Sequence, residues 1–284
     1  MEQLCFNLAF AGYAVGMLLY WVPFFRKNSK LPTVAKIVLM AAVAFHAASL
    51  LIRTYHGRQI PEHLWYVPWS NWYESFSFFS FVITVVFLIL QFYRSLPILG
   101  AFITPLAVAA MVMAINSPTG AAIPSLPPAL QSYWMALHVP VMFVAYAAFA
   151  NAFGLGLAFL IQERQIKSKK PGAMTFILPP LEELDNLIYR VIWMSFPVLT
   201  LGILLGAAWA NDAWGRYWGW DPKETWSFVT WLIYLIYLHI RLVVGWRGRK
   251  TAYLSLVGFA VVLFTYVGVN YLSHLHGFLS GGGK

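Results

Sequence analysis

Five of the 13 tryptophans of this 284-residue chain lie in one short stretch, WANDAWGRYWGWDPKETW. They are Trp209, Trp214, Trp218, Trp220 and Trp226. An aromatic belt at a membrane interface is the ordinary explanation of such a density. That explanation leaves Gly215 and Gly219 unaccounted for, because glycines beside a shelf of aromatic rings let a flat ligand approach the backbone. The stretch therefore predicts a binding site for a broad, planar, apolar molecule.

The stretch ends in a helix-start pattern. Asp221 fits the N-cap, Pro222 the first helical position and Glu224 the third, which together form a capping box. The N–H groups and positive dipole end of a helix start can receive an anion. Haem, with a broad ring and two propionates, suits this combination. Asn71 and Glu74 repeat the pattern on the same side, and are either part of the same arrangement or an ordinary helix start.

Histidines supply the candidate iron ligands, and the chain has seven: His46, His56, His63, His138, His239, His274 and His276. His138 begins one hydrophobic segment and the terminal pair ends another, on the same side as the tryptophan-rich stretch. Bis-histidine ligation of haem iron needs such a pair of imidazoles from separate segments. His274 and His276 lie about 200° apart around a helix, so at most one of them faces the pocket. Spacing leaves the choice between them open.

Two further histidines lie inside hydrophobic segments, where ionisable residues are costly and suggest a function. The depths of His239 and His46 differ by roughly 12 Å at the rise of a helix, so one iron between them would need a tilt or a break. We interpret His239 as a candidate iron ligand whose mate belongs to another chain. His46 is interpreted as a packed polar residue, with iron ligation as the alternative. His56 and His63 are predicted to lie at the surface.

The composition indicates that the histidines and tryptophans lie in or beside membrane-spanning helices. The chain is 60% hydrophobic and 10% charged, whereas a soluble domain is about half apolar and a quarter charged. Eight hydrophobic segments lie near 5–25, 35–53, 75–94, 98–115, 134–161, 190–210, 225–245 and 252–273. The sequence predicts an all-α integral membrane protein with about eight transmembrane helices, forming one polytopic domain over residues 1–284. The fourth segment is the least regular, because Pro97 and Pro105 stand at its start.

The distribution of basic residues predicts the orientation. Loops after segments one, three, five and seven hold 12 Lys and Arg residues, against five on the opposite side. The positive-inside rule then places both termini and the tryptophan-rich loop, about 209–226, outside. The net charge of +9 is explained in this way, and we do not expect a nucleic-acid partner. Cys5 is the only cysteine, so the chain has no intramolecular disulfide and no CxxC redox pair.

Four segments resemble a known family. WGRYWGWDPKETW, residues 214–226, resembles the WWD motif of the haem-handling proteins of cytochrome c maturation. SNWYESFSFFSF, PALQSYWMALHVPVMFVAYAAF and VNYLSHLHGF are similar to segments of its CcsA (ResC) branch, in the System II pathway. The resemblance covers nearly the whole chain.

The resemblance implies a protein that carries haem b to the outer face of a membrane. With a CcsB (ResB) partner it would form a haem exporter and cytochrome c synthase. Such a complex joins haem vinyl groups to the CxxCH thiols of apocytochrome c, with thiol-reducing proteins acting indirectly. The membrane implied is a bacterial plasma membrane, with the thylakoid membrane as the alternative. Rival interpretations are a protein that loads a haem chaperone, a transporter of another flat solute such as a quinone, and a structural membrane subunit.

The resemblance also assigns residues. It implies that His138 and His276 bind iron at the external site and that His239 is an intramembrane ligand. Where relatives often have LHSY, this chain has Leu275-His276-Gly277-Phe278, which alters the local hydrogen bonding. The residues expected to contact the ring or its propionates are Trp214, Gly215, Arg216, Tyr217, Trp218, Trp220, Asp221, Lys223 and Trp226.

Overall fold

The computed structural model describes residues 1–24, 30–61, 64–93, 96–118, 120–123, 125–168 and 173–272. These ranges are helical and contain no strand, so the predicted all-α class is confirmed. The α-helices are α1 (Glu2–Trp21), α2 (Leu31–Arg58), α3 (Trp72–Tyr93), α4 (Gly100–Ile115), α5 (Tyr133–Lys167), α6 (Ala173–Ile177), α7 (Leu181–Trp214), α8 (Pro222–His239) and α9 (Arg249–Tyr266). A π-helical turn, Ile240–Val244, continues α8.

The helices correspond closely to the hydrophobic segments. Within the described ranges, seven are long and apolar enough to cross a membrane, and these are α1, α2, α3, α5, α7, α8 and α9 with their short extensions. The fourth predicted segment forms α4, which has 16 residues and contains Pro105. At the rise of an α-helix it is about 24 Å long, somewhat shorter than the hydrocarbon core of a bilayer. The chain is an integral membrane protein.

The longest helix, α5, lies at the centre of the bundle. It contacts α3, α4, α7 and α9, and α1 packs along α2 and against α4. One end of the bundle, which we call the cavity end, contains the N-termini of α1, α3, α5 and α8. The C-termini of α2, α7 and α9 lie at the same end. This is the side that the distribution of basic residues predicts to be outside.

A buried carboxylate, that of Glu74, joins several segments at the cavity end. Its oxygens accept hydrogen bonds from the Arg53 guanidinium at 2.8 Å, from the Tyr66 hydroxyl and from the Ser70 amide at 2.8 Å. Arg53 also donates to Glu2 at 2.8 Å. Burial and the neighbouring Glu74 carboxylate raise the pKa of Tyr66, so its hydroxyl stays protonated and donates. Arg53 is a buried residue of α2.

The predicted cap at the start of α3 is present in altered form. The Asn71 side chain accepts from the Glu74 amide at 3.0 Å, as an N-cap does. The Glu74 carboxylate, however, reaches Ser70 and Arg53. This helix start therefore combines an ordinary cap with a buried ion pair.

A second buried ion pair lies at the opposite end. Arg241, in the π-helical turn after His239, pairs with Asp185 of α7 at 2.7 Å. The same carboxylate accepts from the Gly248 amide at 2.8 Å and the Thr251 hydroxyl at 3.0 Å. These bonds hold the finish of α8 against α7 and the start of α9.

Candidate functional site

A large cavity opens at the cavity end, between α3, α5, α7, α8 and α9. Its empty space, including the open mouth, is about 1260 Å³. Aromatic side chains supply much of the wall: Trp69, Phe143, Tyr146, Trp209, Trp214, Tyr217, Trp218 and Tyr266. Besides the tyrosines, the ionisable groups in the lining are His138, Lys223 and Glu224. The site is therefore an apolar chamber with a few polar groups.

His138 is oriented by a neighbouring helix. It lies near the start of α5, which Ser132 caps by accepting from the Trp134 amide. Its Nδ1 atom lies 2.8 Å from the carbonyl oxygen of Gly202 on α7. A carbonyl only accepts, so Nδ1 carries the proton and the lone pair of the neutral ring is on Nε2. Metal-binding histidines are commonly held in this way.

Two glycines of α7 make this arrangement possible, and sequence reasoning missed them. A Cβ at Gly206 would lie 2.7 Å from Cε1 of His138, so the imidazole lies against bare backbone. A Cβ at Gly202 would overlap the Met142 side chain of α5. Gly202 and Gly206 form a G-x-x-x-G pattern, which lets membrane helices approach closely. That spacing was the signal that could have revealed this contact.

Gly206→Ala is expected to displace the imidazole while leaving the protein folded. The added methyl group would lie 2.7 Å from Cε1 of the ring, so the ring must shift from the position in which it bonds to the Gly202 carbonyl. We expect binding of added haem to fall by about 10-fold to 100-fold, the usual effect of losing a ligand's supporting contact. Absorption titration of the purified protein measures this loss.

Gly16→Ala is the matched control, since its Cβ would lie 2.7 Å from the Leu39 side chain, far from the cavity. It imposes a comparable overlap and should leave haem binding unchanged. Equal losses in Gly206→Ala and Gly16→Ala would contradict the specific role of Gly206.

The tryptophan-rich loop has some residues in the cavity wall and others exposed at the protein surface. Trp214, Tyr217 and Trp218 line the cavity, as does Trp209. Trp220 is 66% exposed and has a positive φ of 58°. The structure therefore brings together only part of the predicted ring-contacting set.

Local conformation accounts for several other members of that set. Gly215 ends α7 with a φ of 72°, a left-handed conformation that favours glycine. The Arg216 guanidinium lies directly over Gly219. Trp226 packs against Phe264 of α9, with ring centroids 4.5 Å apart. Gly215, Arg216, Trp220, Asp221 and Trp226 are not part of the cavity lining.

The capping box predicted at α8 is confirmed. The Asp221 carboxylate accepts from the Lys223 amide at 3.0 Å. The Glu224 carboxylate accepts from the Gly219 amide at 2.7 Å and from the Asp221 amide at 3.2 Å. These backbone N–H groups therefore donate to carboxylates of the chain itself, although the sequence predicted that they could bind an external anion. The Lys223 ammonium reaches into the cavity wall and donates to Asn270 at 3.0 Å.

The remaining histidines occupy different environments. His46 is buried, with Nδ1 3.1 Å from the Tyr13 hydroxyl and Nε2 2.8 Å from the Ser77 hydroxyl. Both ring nitrogens thus have partners within the bundle, as in a packed polar residue. His239 ends α8 with an exposed side chain. His56 is largely exposed, 3.7 Å from Glu2.

Three histidines, His63, His274 and His276, lie outside the described residues. The described chain stops at Leu272, four residues before His276. In the described part of the chain, no three His, Cys, Asp or Glu residues form a metal-binding group. Among the described residues, His138 is the histidine that lines the cavity.

Comparison with known proteins places the chain in a family. Residues 69–276 match the family described as "Cytochrome C assembly protein". "Cytochrome c biogenesis protein CcsA" of Porphyra purpurea is 34% identical, covering 99% of this chain and 98% of the relative. The protein of that name from Microcystis aeruginosa is 35% identical, covering 96% and 95%.

A solved structure shares the fold. "Cytochrome c Heme Lyase CcmF" superposes with a TM-score of 0.67 at 18% identity, covering 99% of this chain. The chain spans about half of that protein, 51%. The family match over most of the chain and the relatives matched along nearly their full length lead to one conclusion: the chain belongs to the cytochrome c assembly protein family.

Proposed function

We propose that this protein handles haem in cytochrome c maturation, and that its cavity presents haem for covalent attachment to apocytochrome c. The observation that carries the proposal is His138. Its Nδ1 donates to the Gly202 carbonyl, so a neutral imidazole would ligate iron through Nε2, in an aromatic chamber. Haem is the substrate here, because it leaves with the product.

The second axial ligand is assigned to His276. Thr265 and Tyr266 of α9 line the same cavity as His138. The chain continues from Leu272 to His276 over four residues, a reach of at most about 14 Å. Two imidazoles from separate parts of the chain would hold the iron low-spin and set its potential through their identity and burial.

The cavity wall suits the rest of the porphyrin. Trp209, Trp214 and Trp218 offer indole surfaces for stacking against the ring. The Lys223 ammonium, held by Asn270, supplies a positive charge for a propionate within the wall. Arg216 is exposed beside the mouth and offers a second cation.

The proposed reaction is thioether formation. Each reduced thiol of a CxxCH motif adds its S–H bond across a haem vinyl double bond. The protein contributes position and redox poise, while the chemistry belongs to haem b. A membrane subunit of the CcsB (ResB) type is proposed as the partner, and thiol-reducing proteins supply reduced apocytochrome. The setting is a bacterial plasma membrane or a thylakoid membrane.

An absorption spectrum of the purified protein, alone and with the partner subunit, tests the proposal. We expect a six-coordinate, low-spin haem spectrum. Adding a reduced CxxCH-containing apocytochrome to the complex should yield covalently bound haem. Haem that binds but transfers only to a haem chaperone would favour the delivery function instead. A protein that binds a quinone and no haem would overturn the proposal.

His239 is proposed to hold haem in transit from the opposite side of the membrane. Its exposed position at the end of α8 suits a ligand completed by another subunit. His239→Ala should lower the haem that copurifies with the complex more than it lowers binding of haem added from outside. Pyridine haemochrome assays measure the first quantity and spectral titration the second. Equal losses would argue against transit through this position.

A further inference from the structure

A second cavity adjoins the first, on the other side of Trp218. Its empty space is about 740 Å³. The lining comes from two helices and the tryptophan-rich loop: Thr200, Ile203, Leu204, Trp218, Trp220, Phe228 and Trp231. Trp218 and Ile203 also line the first cavity. The two cavities are therefore separated by an indole ring and an aliphatic side chain.

The chemistry of the second cavity is almost entirely apolar. The Thr200 hydroxyl donates to the Phe196 carbonyl at 2.9 Å and accepts from the Trp231 indole at 2.9 Å. Apart from the indole N–H groups of Trp218 and Trp220, the other lining side chains have no polar atoms. An ion or a sugar would find few partners here, whereas an apolar ring edge would lose nothing on entry.

The aromatic rings of this cavity are either nearly perpendicular or nearly parallel to their neighbours. Trp218 and Trp220 are nearly perpendicular at 88°, with centroids 5.7 Å apart, and Trp220 is nearly perpendicular to Phe228 at 85°. Phe228 and Trp231 are close to parallel at 11°, 6.0 Å apart. Trp220 adopts its positive φ in this arrangement, a backbone conformation that is uncommon outside glycine. Such strain clusters at ligand sites.

The second cavity opens at the side of the bundle. Leu204 is 62% exposed and Phe228 38% exposed, and both belong to membrane-spanning helices. Phe228, Leu235 and His239 are all exposed and spaced seven and four residues apart, so they share one face of α8. That face runs about 16 Å from the proposed transit ligand to this cavity.

We propose that the second cavity is a lateral vestibule, which receives the apolar edge of the porphyrin from the bilayer before haem enters the main cavity past Trp218. This inference rests on the proposed function and adds a route to it. The route is supported by the two side chains that line both cavities. It is also supported by the apolar lining, which suits the vinyl and methyl edge of the ring and excludes the propionates.

Leu204→Trp tests the vestibule, because a larger side chain fills this cavity and does not touch the first one. Leu201→Trp is the matched control, since Leu201 is 51% exposed on the same helix and lies outside both linings. Haem is delivered from liposomes to the reconstituted complex, and the low-spin spectrum is followed by stopped flow. We expect entry to slow by about 10-fold in Leu204→Trp, as for an obstructed passage. Its final spectrum should match that of the parent protein.

The outcomes separate the vestibule from the proposed function. Slow entry in Leu204→Trp with normal entry in Leu201→Trp supports the vestibule, and Phe228→Trp should reproduce the slowing. Unchanged entry in both Leu204→Trp and Phe228→Trp overturns it, as would happen if the cavity held only a lipid chain. Equal slowing in Leu201→Trp also overturns it. A parent complex with no low-spin haem at any time would instead defeat the proposed function, and the vestibule with it.

Discussion

His138→Ala will abolish the low-spin haem spectrum and stop cytochrome c assembly. The variant removes the imidazole whose Nδ1 donates to the Gly202 carbonyl and which is the proposed axial ligand of the iron. Loss of supporting contacts alone lowers metal affinity by about 10-fold to 100-fold, and loss of the ligand itself should exceed that range. Spectral titration with haem and a cytochrome c assembly assay measure the two effects. His276→Ala should give a similar spectral change.

His56→Ala is the control for this prediction. His56 is an exposed histidine at the cavity end and lies outside the cavity lining. We expect it to leave both spectrum and assembly intact. If His138→Ala and His276→Ala both retained the low-spin spectrum and normal assembly, the external site would be wrongly assigned.

Glu74→Ala will destabilise the folded protein strongly. It removes a fully buried carboxylate that accepts from Arg53, Tyr66 and Ser70. Breaking a buried ion pair by removing one partner destabilises a protein by about 3–5 kcal/mol, and Arg53 would keep Glu2 alone as its carboxylate partner. Denaturant or thermal unfolding in detergent measures the change.

Lys167→Ala is the contrasting control, because Lys167 pairs with Glu163 on the surface at 2.7 Å. Exposed pairs contribute about 0–1 kcal/mol. The double variant Arg53→Met, Glu74→Ala should recover part of the loss, since neither charge is then buried alone. A Glu74→Ala protein as stable as the Lys167→Ala protein would show that the ion pair contributes little.

Hydropathy and local patterns predicted much of this fold. The positions of the long helices follow from apolar segments, because a span must satisfy its backbone hydrogen bonds internally. The capping box of Asp221 and Glu224 was readable because its partners lie within five residues of one another. The Gly202 and Gly206 spacing was equally local and was overlooked.

Contacts between residues far apart in the sequence could not be predicted from hydropathy and local patterns. Arg53 and Glu74 are 21 residues apart and meet because α2 packs beside α3. The predicted segment 35–53 ends at Arg53, whereas in the structure α2 continues to Arg58 and buries Arg53 beside two carboxylates. Lys223 and Asn270 are 47 residues apart, and their bond depends on how α8 and α9 meet. Each of these contacts depends on how distant helices pack against one another, and local sequence patterns do not specify that packing.

The helical hairpin of α1 and α2 precedes the region that matches the family, which begins at residue 69. It nevertheless supplies the guanidinium that neutralises Glu74 inside that region. During synthesis Arg53 leaves the ribosome with Glu2 as its carboxylate partner, because Glu74 follows 21 residues later. Residues 69–284 expressed alone would leave the Glu74 carboxylate without the Arg53 guanidinium, and an uncompensated charge is costly in a protein interior.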